Sequence, residues 1–288
     1  MTPSPLAYVA GHFLPVAKAT VPITDLGLLQ GVGAYETLRT YGGRPFRLAE
    51  HLRRLHGSAE FLGIRVGESD DQIAAIVARL VESNGTAEAR VRITATAGPA
   101  DRAEADPPPP ATLIVTAVRL VPYAADLFER GAAVVITGDR AKEGDPAALH
   151  KLTSRVRLFL GRRAAHRAGA VEAVFLNTSG RLAEGAGTNV FIVCGGRLIT
   201  PPGEEGLMPG IARAVVLEVA AACGIPTEVR PVMLEEFLAA DEVMLTNSIM
   251  EVMPVTRLEG QVVGAGKPGA VTQRLAAAYK DLVSRETM

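Results

Sequence analysis

Residues 184–213 read EGAGTNVFIVCGGRLITPPGEEGLMPGIAR, and the order of apolar and turn-forming residues in this stretch decides the fold. An apolar run over 189–193, the turn Gly195-Gly196 and a second apolar run over 198–200 predict a β-hairpin. The Pro-Pro-Gly sequence that follows ends the second strand. A helix is predicted over about 210–223, because a glycine and a proline follow its apolar periodic run.

Two features of this stretch have chemical potential. Glu184 is a carboxylate in a loop of small residues, and a second loop leads through Gly210 into the predicted helix. Free N–H groups and the helix dipole at such an N-terminus favour a bound phosphate. On physical grounds alone, an ordinary hairpin followed by a helix explains the same residues equally well, since neither feature is rare.

The stretch resembles the signature of the class IV (fold-type IV) pyridoxal-phosphate enzymes. That signature runs from an acid through a small residue, Asn, an apolar residue and an aromatic one to apolar-x-Thr and apolar-x-Gly-apolar-x-basic. Every position is filled in this chain, by Glu184, Ala186, Asn189, Val190, Phe191, Leu198, Thr200, Met208, Gly210, Ile211 and Arg213. The family contains branched-chain aminotransferases, D-amino-acid aminotransferases, (R)-amine transaminases and aminodeoxychorismate lyases.

The resemblance extends over about residues 7–280. It implies an α+β, two-domain fold like that of D-amino-acid aminotransferase, a homodimer and the cofactor pyridoxal 5'-phosphate. The pattern of predicted elements independently favours α+β, because strands and helices mix without strict βαβ alternation. We place the boundary near residue 121, giving a smaller domain over 1–121 and a larger, cofactor-binding domain over 122–288. Within them, helices are predicted over 47–62 and 70–82, a polar loop over 246–248, and a proline-rich linker or lid over 98–110.

Composition excludes several function classes. The formal net charge of the 288 residues is −1, so no basic surface for nucleic acid or anionic membranes is expected. Neither a secretory signal nor an apolar run of membrane-spanning length is visible. The two cysteines, Cys194 and Cys223, fit a reducing compartment, and we expect a cytoplasmic protein. No cluster of His, Cys and acidic residues has metal-ligand spacing, so no metal site is predicted.

Lys151 is the candidate catalytic lysine. The chain has 5 Lys and 25 Arg, and only a lysine amine can bond to a cofactor aldehyde. The resemblance places the family's lysine at this position, in a K-x-x-N-like segment ahead of the acid. Ser154 stands here in place of the usual Asn. A solvated lysine is the alternative interpretation, since most lysines are exposed.

The resemblance also implies the contacts of the cofactor. A carboxylate at Glu184 would keep the pyridine nitrogen protonated, so that the ring accepts electrons. Arg54, on the helix over 47–62, would bind the phosphate through its guanidinium fork, with Arg53 as the neighbouring alternative. Further phosphate contacts are implied for the backbone of the helix start and for a later hydroxyl, namely Ile211, Ala212 and Ser248.

The substrate is less determined. Candidate substrate residues are Tyr35, Arg92, Ser248 and Ile249, and Thr37 is a third catalytic candidate beside Lys151 and Glu184. The lyases of the family have a catalytic threonine where Thr37 stands, which favours a lyase. The lyase sequence Arg-Gly-Tyr is absent from the proline-rich loop, since Ala103 and Glu104 follow Arg102 there, and this absence disfavours a lyase.

Our interpretation is an aminotransferase that moves an amino group between an amino acid, preferably branched-chain-like, and a 2-oxo acid. Its partners are then small-molecule substrates, without nucleic acid or membrane. An aminodeoxychorismate lyase, forming 4-aminobenzoate and pyruvate, is the alternative enzyme. A non-catalytic binding protein on the same fold is the alternative from another class.

Overall fold

The computed structural model describes residues 4–102 and 110–288, which form two compact units. The first unit consists of Met1–Val121, His150–Ser154 and Glu286–Met288, and the second of Pro122–Leu149 and Arg155–Arg285. The segment that contains Lys151 therefore packs with the first unit. The functional division into a 1–121 domain and a cofactor-binding 122–288 domain stays a prediction. The proline-rich run falls mainly on 103–109, outside the described residues, as does the Ala103-Glu104 pair.

The first unit is an antiparallel sheet with two long helices. The strand order is β2-β1-β6-β5-β3-β4. The strands are β1 (Leu6–Val9), β2 (His12–Pro15), β3 (Gly33–Tyr41), β4 (Arg44–Pro45), β5 (Ala89–Thr96) and β6 (Thr112–Arg119), and the helices are α1 (Leu26–Leu29), α2 (Leu48–Phe61) and α3 (Asp70–Ser83). The two predicted helices, over 47–62 and 70–82, are confirmed as α2 and α3.

One apolar core joins α2 and α3 to this sheet. Leu52, Leu55 and Ala59 lie three and four residues apart on α2 and are buried, as helical periodicity requires. A capping box at Ser69 and Gln72 satisfies the first amides of α3. Along β3, alternate residues face this core, so the side chains between them face the other side of the sheet.

The second unit contains a nine-stranded mixed sheet. Its order is β12-β11-β10-β13-β14-β7-β8-β9, and β15 pairs with β14. The strands are β7 (Ala132–Ala141), β8 (Glu172–Asn177), β9 (Leu182–Gly185), β10 (Asn189–Cys194), β11 (Arg197–Thr200), β12 (Thr227–Val229), β13 (Glu242–Asn247), β14 (Glu251–Leu258) and β15 (Gln261–Val262). The helices are α4 (Ala125–Arg130), α5 (Val156–Arg167), α6 (Ile211–Ala222), α7 (Leu234–Leu238) and α8 (Ala270–Thr287). The predicted hairpin is β10–β11, the predicted helix after it is α6, and the α+β class is confirmed.

Two details of β13 and β14 correct the sequence analysis. Thr246 and Asn247 belong to β13, so the predicted polar loop over 246–248 starts two residues too early. The strand β14 carries Pro254 opposite Met244 of β13 and was not predicted. A proline cannot donate a ladder hydrogen bond, which makes such a segment look unlike a strand. Among the described residues, no helix combines the length and apolarity needed to cross a bilayer.

Candidate active site

The backbone of Lys151 is held between β3 and α2 of the first unit. Its carbonyl oxygen accepts a hydrogen bond from the N–H of Tyr35 at 2.9 Å. Its own N–H donates to the hydroxyl of the buried Ser58 at 3.1 Å. The next residue, Leu152, forms an isolated antiparallel bridge with Ala34. Both backbone polar groups of Lys151 are therefore satisfied, and its main chain is fixed in place.

Thr153 secures the same segment further along. Its N–H donates to the carbonyl of Gly33 at 2.8 Å, and its hydroxyl donates to the carbonyl of Gly31 at 2.6 Å. The three consecutive residues 151–153 are therefore all hydrogen-bonded to the segment 31–35, which contains the start of β3. The departure from the family pattern at Ser154 leaves this anchoring intact, because Thr153 provides the side-chain bond.

Three of the predicted site residues of the first unit lie together. The Lys151 ammonium nitrogen is 5.1 Å from the centroid of the Tyr35 ring, and the Arg92 guanidinium carbon is 3.8 Å from the same centroid. Arg92 also donates from Nε to the Thr94 hydroxyl at 3.2 Å. Thr37 stands opposite Arg92 in the β3–β5 register, so their side chains share one face. Two cations at one largely buried aromatic ring make a suitable environment for a carboxylate ligand.

A buried charged cluster behind this face was missed by the sequence analysis. Glu36 is 0% exposed and accepts two hydrogen bonds from Arg54, from Nε at 2.7 Å and from Nη2 at 2.8 Å. His51, 1% exposed, lies with Nδ1 at 2.7 Å from the same carboxylate. The missed signal is in β3: Glu36 alternates with Ala34 and Leu38, so it lies on the face that enters the core and requires partners.

The protonation states of this cluster follow from its geometry. Burial alone raises the pKa of Glu36, but the hydrogen bonds from Arg54 and His51 outweigh it and lower the pKa to about 2. Burial lowers the pKa of His51 despite its bond to Glu36. The carboxylate is thus ionised and the imidazole neutral near pH 7. Since an ionised carboxylate only accepts, Nδ1 of His51 carries the proton.

The two candidate phosphate arginines of α2 differ in environment. Arg54 is half-buried, and its guanidinium makes a two-bond fork with Glu36. Arg53 is exposed. The inward arginine is therefore Arg54, and its orientation is set by Glu36, because a bidentate pair fixes the guanidinium plane.

In the second unit, Glu184 lies against the loop that precedes α6. It is located in β9 and is buried. Its Oε2 accepts the N–H of Met208 at 3.1 Å, and the Asn189 amide donates to the Met208 carbonyl at 2.8 Å. Met208 is thus bound through both of its backbone polar groups. The loop and the carboxylate hold each other in place.

The start of α6 has the features of an anion site. Gly210, the N-cap residue, has no side-chain cap within the described structure, and the backbone amides of Ile211 and Ala212 open the helix. A Cβ atom at Gly210 would overlap Oδ1 of Asn189, so only glycine fits this close approach. Uncapped first-turn amides together with the helix dipole favour a phosphate.

Thr246 and Ser248 lie close to one another in the chain, at the end of β13. Thr246 is directly opposite Asn189 in the sheet, is 0% exposed, and its hydroxyl has no hydrogen-bond partner among the described residues. Ser248 and Ile249 lie in the turn after β13, where Oδ1 of Asn247 accepts the Ile249 N–H at 2.9 Å. A buried hydroxyl without a partner is a position that a ligand or a water can complete.

The small-residue loop after Glu184 is tied to three elements. Glu172 of β8 accepts the N–H of Gly187 at 3.0 Å, and Asn247 of β13 donates to the Gly187 carbonyl at 3.0 Å. Arg155, before α5, donates to the Ala186 carbonyl at 3.0 Å. Burial raises the pKa of Glu172, against the charge of Arg162. Within the described residues, no group of three or more His, Cys, Asp or Glu is arranged to hold a metal ion.

Comparisons with known proteins agree on one family. The family model for amino-transferase class IV matches residues 33–258. A putative branched-chain-amino-acid aminotransferase of Methanocaldococcus jannaschii is 32% identical over 280 residues, 96% of this chain and 95% of that protein. A D-alanine aminotransferase of Listeria monocytogenes is 31% identical over 271 residues, 93% of this chain and 92% of that protein. A solved T.th. branched-chain amino acid aminotransferase with pyridoxamine 5'-phosphate is 27% identical, with a TM-score of 0.89 over 99% of this chain and 96% of that one.

Proposed function

The chain belongs to the class IV aminotransferase family of pyridoxal-phosphate-dependent transaminases, and from that premise we propose that it transfers the amino group of an aliphatic, branched-chain-like amino acid to a 2-oxo acid. The observation that carries the proposal is the group Lys151, Tyr35 and Arg92, in which two cations lie at one aromatic ring. Arg92 can pair there with a substrate carboxylate, beside the amine that reacts. We also propose a cytoplasmic homodimer.

The residues present fit the cofactor. Pyridoxal 5'-phosphate supplies an aldehyde and an electron-accepting ring. We propose that Lys151 bonds that aldehyde and moves the proton at the substrate α-carbon, for which its anchored backbone fixes the base of the side chain. We propose that Glu184 holds the proton on the ring nitrogen. Its bond to the Met208 amide supports this role, because that bond favours the ionised carboxylate.

The phosphate is proposed to bind at Arg54, at the amides of Ile211 and Ala212, and at the Ser248 hydroxyl. The close approach at Gly210 and the uncapped start of α6 support this assignment. The buried Thr246 hydroxyl supports it as well, because it lies opposite Asn189, which borders Gly210. Ala212 brings no hydroxyl of its own, and the hydroxyl contact is proposed to come from Ser248, in the turn after β13.

Replacing Arg54 with lysine is expected to raise the dissociation constant for pyridoxal 5'-phosphate about tenfold, since the charge remains but the two-bond pair with Glu36, which orients the side chain, is lost. Arg53→Lys, the same change on the exposed side of α2, should leave the constant unaltered. Equilibrium dialysis of both cofactor-free variants measures the difference. Equal dissociation constants for the two variants would show that Arg54 does not bind the phosphate.

A second candidate function, aminodeoxychorismate lyase, is favoured by Thr37. Its side chain shares the face of Tyr35 and Arg92, where a hydroxyl can take part in proton transfer during pyruvate release. A transaminase needs only the lysine for its proton transfers, and Thr37 would then merely shape the substrate site. The alternative of a non-catalytic binding protein is not retained, because the chain belongs to a family of enzymes.

Thr37→Gly separates the two enzyme functions. We expect this variant to transaminate an aliphatic amino acid within about tenfold of the wild-type rate, or about 1.4 kcal/mol of barrier. The assay follows half-transamination of L-amino and D-amino acids, and pyruvate release from aminodeoxychorismate. A wild-type protein that transaminates nothing but releases pyruvate, and loses that release in Thr37→Gly, would make the lyase the function of this chain.

A further inference from the structure

A buried carboxylate lies three residues before Met208, in the loop that approaches Glu184. Glu205 ends a short 3₁₀ turn, Gly203–Glu205, and is 4% exposed. One of its oxygens, Oε2, accepts from the Asn177 amide at 2.6 Å and from Nε of Arg181 at 2.6 Å. An ionised carboxylate in such a buried position is tolerated only when donors and a countercharge surround it.

The two donors are themselves held rigidly. Oδ1 of Asn177 accepts the N–H groups of Ser179 at 3.0 Å and of Arg181 at 2.9 Å. These bonds identify the amide oxygen, so the NH₂ group is the one that faces Glu205. Arg181 bonds on its other side to Glu143 at 2.5 Å. The turn between β8 and β9 therefore fixes the two donors, and with them the position of the Glu205 carboxylate.

The backbone around Glu205 is fastened to a second segment. The Gly144 N–H donates to the carbonyl of Glu204 at 3.0 Å. Gly206 has φ +87°, and a Cβ atom there would lie 2.6 Å from the carbonyl oxygen of Lys142, so only glycine allows this packing. The turn thus rests against residues 142–144, and Glu205 is its side-chain anchor.

From this anchor the chain runs directly to Glu184. Leu207 is buried, and the N–H of Met208 then donates to the Glu184 carboxylate. We propose that Glu205 is a positioning residue, which fixes the loop so that the Met208 amide stays on Glu184 and the start of α6 stays in place for the cofactor. This inference rests on the proposed function, in which Glu184 and α6 bind pyridoxal 5'-phosphate.

Two substitutions separate charge from hydrogen bonding. In Glu205→Gln the amide oxygen can still accept from both donors, whereas Glu205→Leu removes both bonds. The matched control is Glu204→Gln, the same chemical change at the exposed neighbouring residue. Amide hydrogen exchange, followed by NMR in the cofactor-free proteins, reports the bond between Met208 and Glu184 directly. The dissociation constant for pyridoxal 5'-phosphate is measured on the same samples.

We expect the Met208 amide of Glu205→Leu to exchange at least about tenfold faster than in the wild type, without a general rise across the second unit. Its dissociation constant should rise about tenfold, because the loop must be ordered again on binding. Glu205→Gln should show a smaller change in both measurements and so rescue most of the effect. Glu204→Gln should show none. Should Glu205→Leu fail to fold, Glu205→Gln carries the test, with an expected rise of about threefold in Met208 exchange.

Three results would overturn the inference. The first is a folded Glu205→Leu variant in which the Met208 amide exchanges at the wild-type rate. The second is an equal rise in exchange over the whole second unit, which would make Glu205 a general stability residue. The third is faster Met208 exchange with an unchanged dissociation constant. A wild-type protein that binds no pyridoxal 5'-phosphate would instead contradict the proposed function, and the exchange at Met208 would still test the anchor.

Discussion

Replacing Lys151 with alanine is expected to lower the rate of transamination by about 10³- to 10⁴-fold, the scale of a lost acid–base group that also bonds the cofactor. The structure gives the reason for so large an effect. The Lys151 backbone is fixed by Tyr35 and Ser58, so no other residue of the segment can bring an amine to the same point. The visible absorbance of covalently bound cofactor should disappear in the variant. Mass spectrometry after borohydride reduction should find the wild-type label on the peptide that contains Lys151.

Lys142→Ala is the control for this experiment. Lys142 is exposed and lies in the same stretch of sequence, and its loss should leave rate, absorbance and label unchanged. Retention of the covalent absorbance in Lys151→Ala, or a label on Lys142, would disprove the assignment.

Replacing Glu36 with leucine is expected to lower the free energy of unfolding by about 3–5 kcal/mol, because removing one partner leaves the other charge of a buried pair uncompensated. The affected charge is that of Arg54, whose side chain is only 13% exposed. Urea unfolding of the cofactor-free protein measures the change. Glu88→Leu is the control, since the Glu88 side chain is 49% exposed and its pair with Arg39 should contribute no more than about 1 kcal/mol. Equal losses for the two variants would contradict the importance of burial.

The same cluster makes the stability depend on pH in the acid range. The pKa of Glu36 falls from its ordinary 4.5 to about 2 on folding, so its contribution is complete above about pH 4.5 and is lost as pH falls towards 2. Burial holds the pKa of His51 below its ordinary 6.5, so protonation of the unfolded chain starts to lower stability below about pH 6.5. Unfolding free energies measured between pH 7 and pH 3 should fall in both ranges. The lower-range fall should be smaller in Glu36→Leu.

Much of this architecture could be predicted because its signals are local. The hairpin β10–β11, the helices α2 and α3 and the start of α6 each follow from spacing and turn residues within a short window. The family resemblance singled out Arg54 over Arg53, and the structure shows Arg54 to be the inward one of the two. The strand β14 was missed because Pro254 interrupts its strand-like sequence. Its pairing with β13 and β7, which identifies it as a strand, is visible only in the structure.

What the sequence could not provide are contacts between distant segments. The pairing of Glu36 with His51 and Arg54 depends on how α2 lies on β3, which no local pattern determines. In the sequence, Glu205 resembles an ordinary loop acid, because its partners Asn177 and Arg181 are distant along the chain. Both acids are buried, and their partners come from another element in each case. Burial of an acid is predictable from alternation in a strand, as at Glu36, but not in a turn.

The residues His150–Ser154 pack with the first unit, while the chain on either side of them belongs to the second. The gene therefore cannot be divided after residue 121 into two self-sufficient halves. A C-terminal fragment would separate Lys151 from the strand and helix that hold its backbone. In an N-terminal fragment, the N–H of Tyr35 and the carbonyl of Gly33 would lack their hydrogen-bond partners, Lys151 and Thr153. To reassemble, the C-terminal fragment would have to donate the short segment 150–154 to the sheet of the N-terminal fragment. An exchange of whole domains during evolution would likewise separate this segment from its sheet.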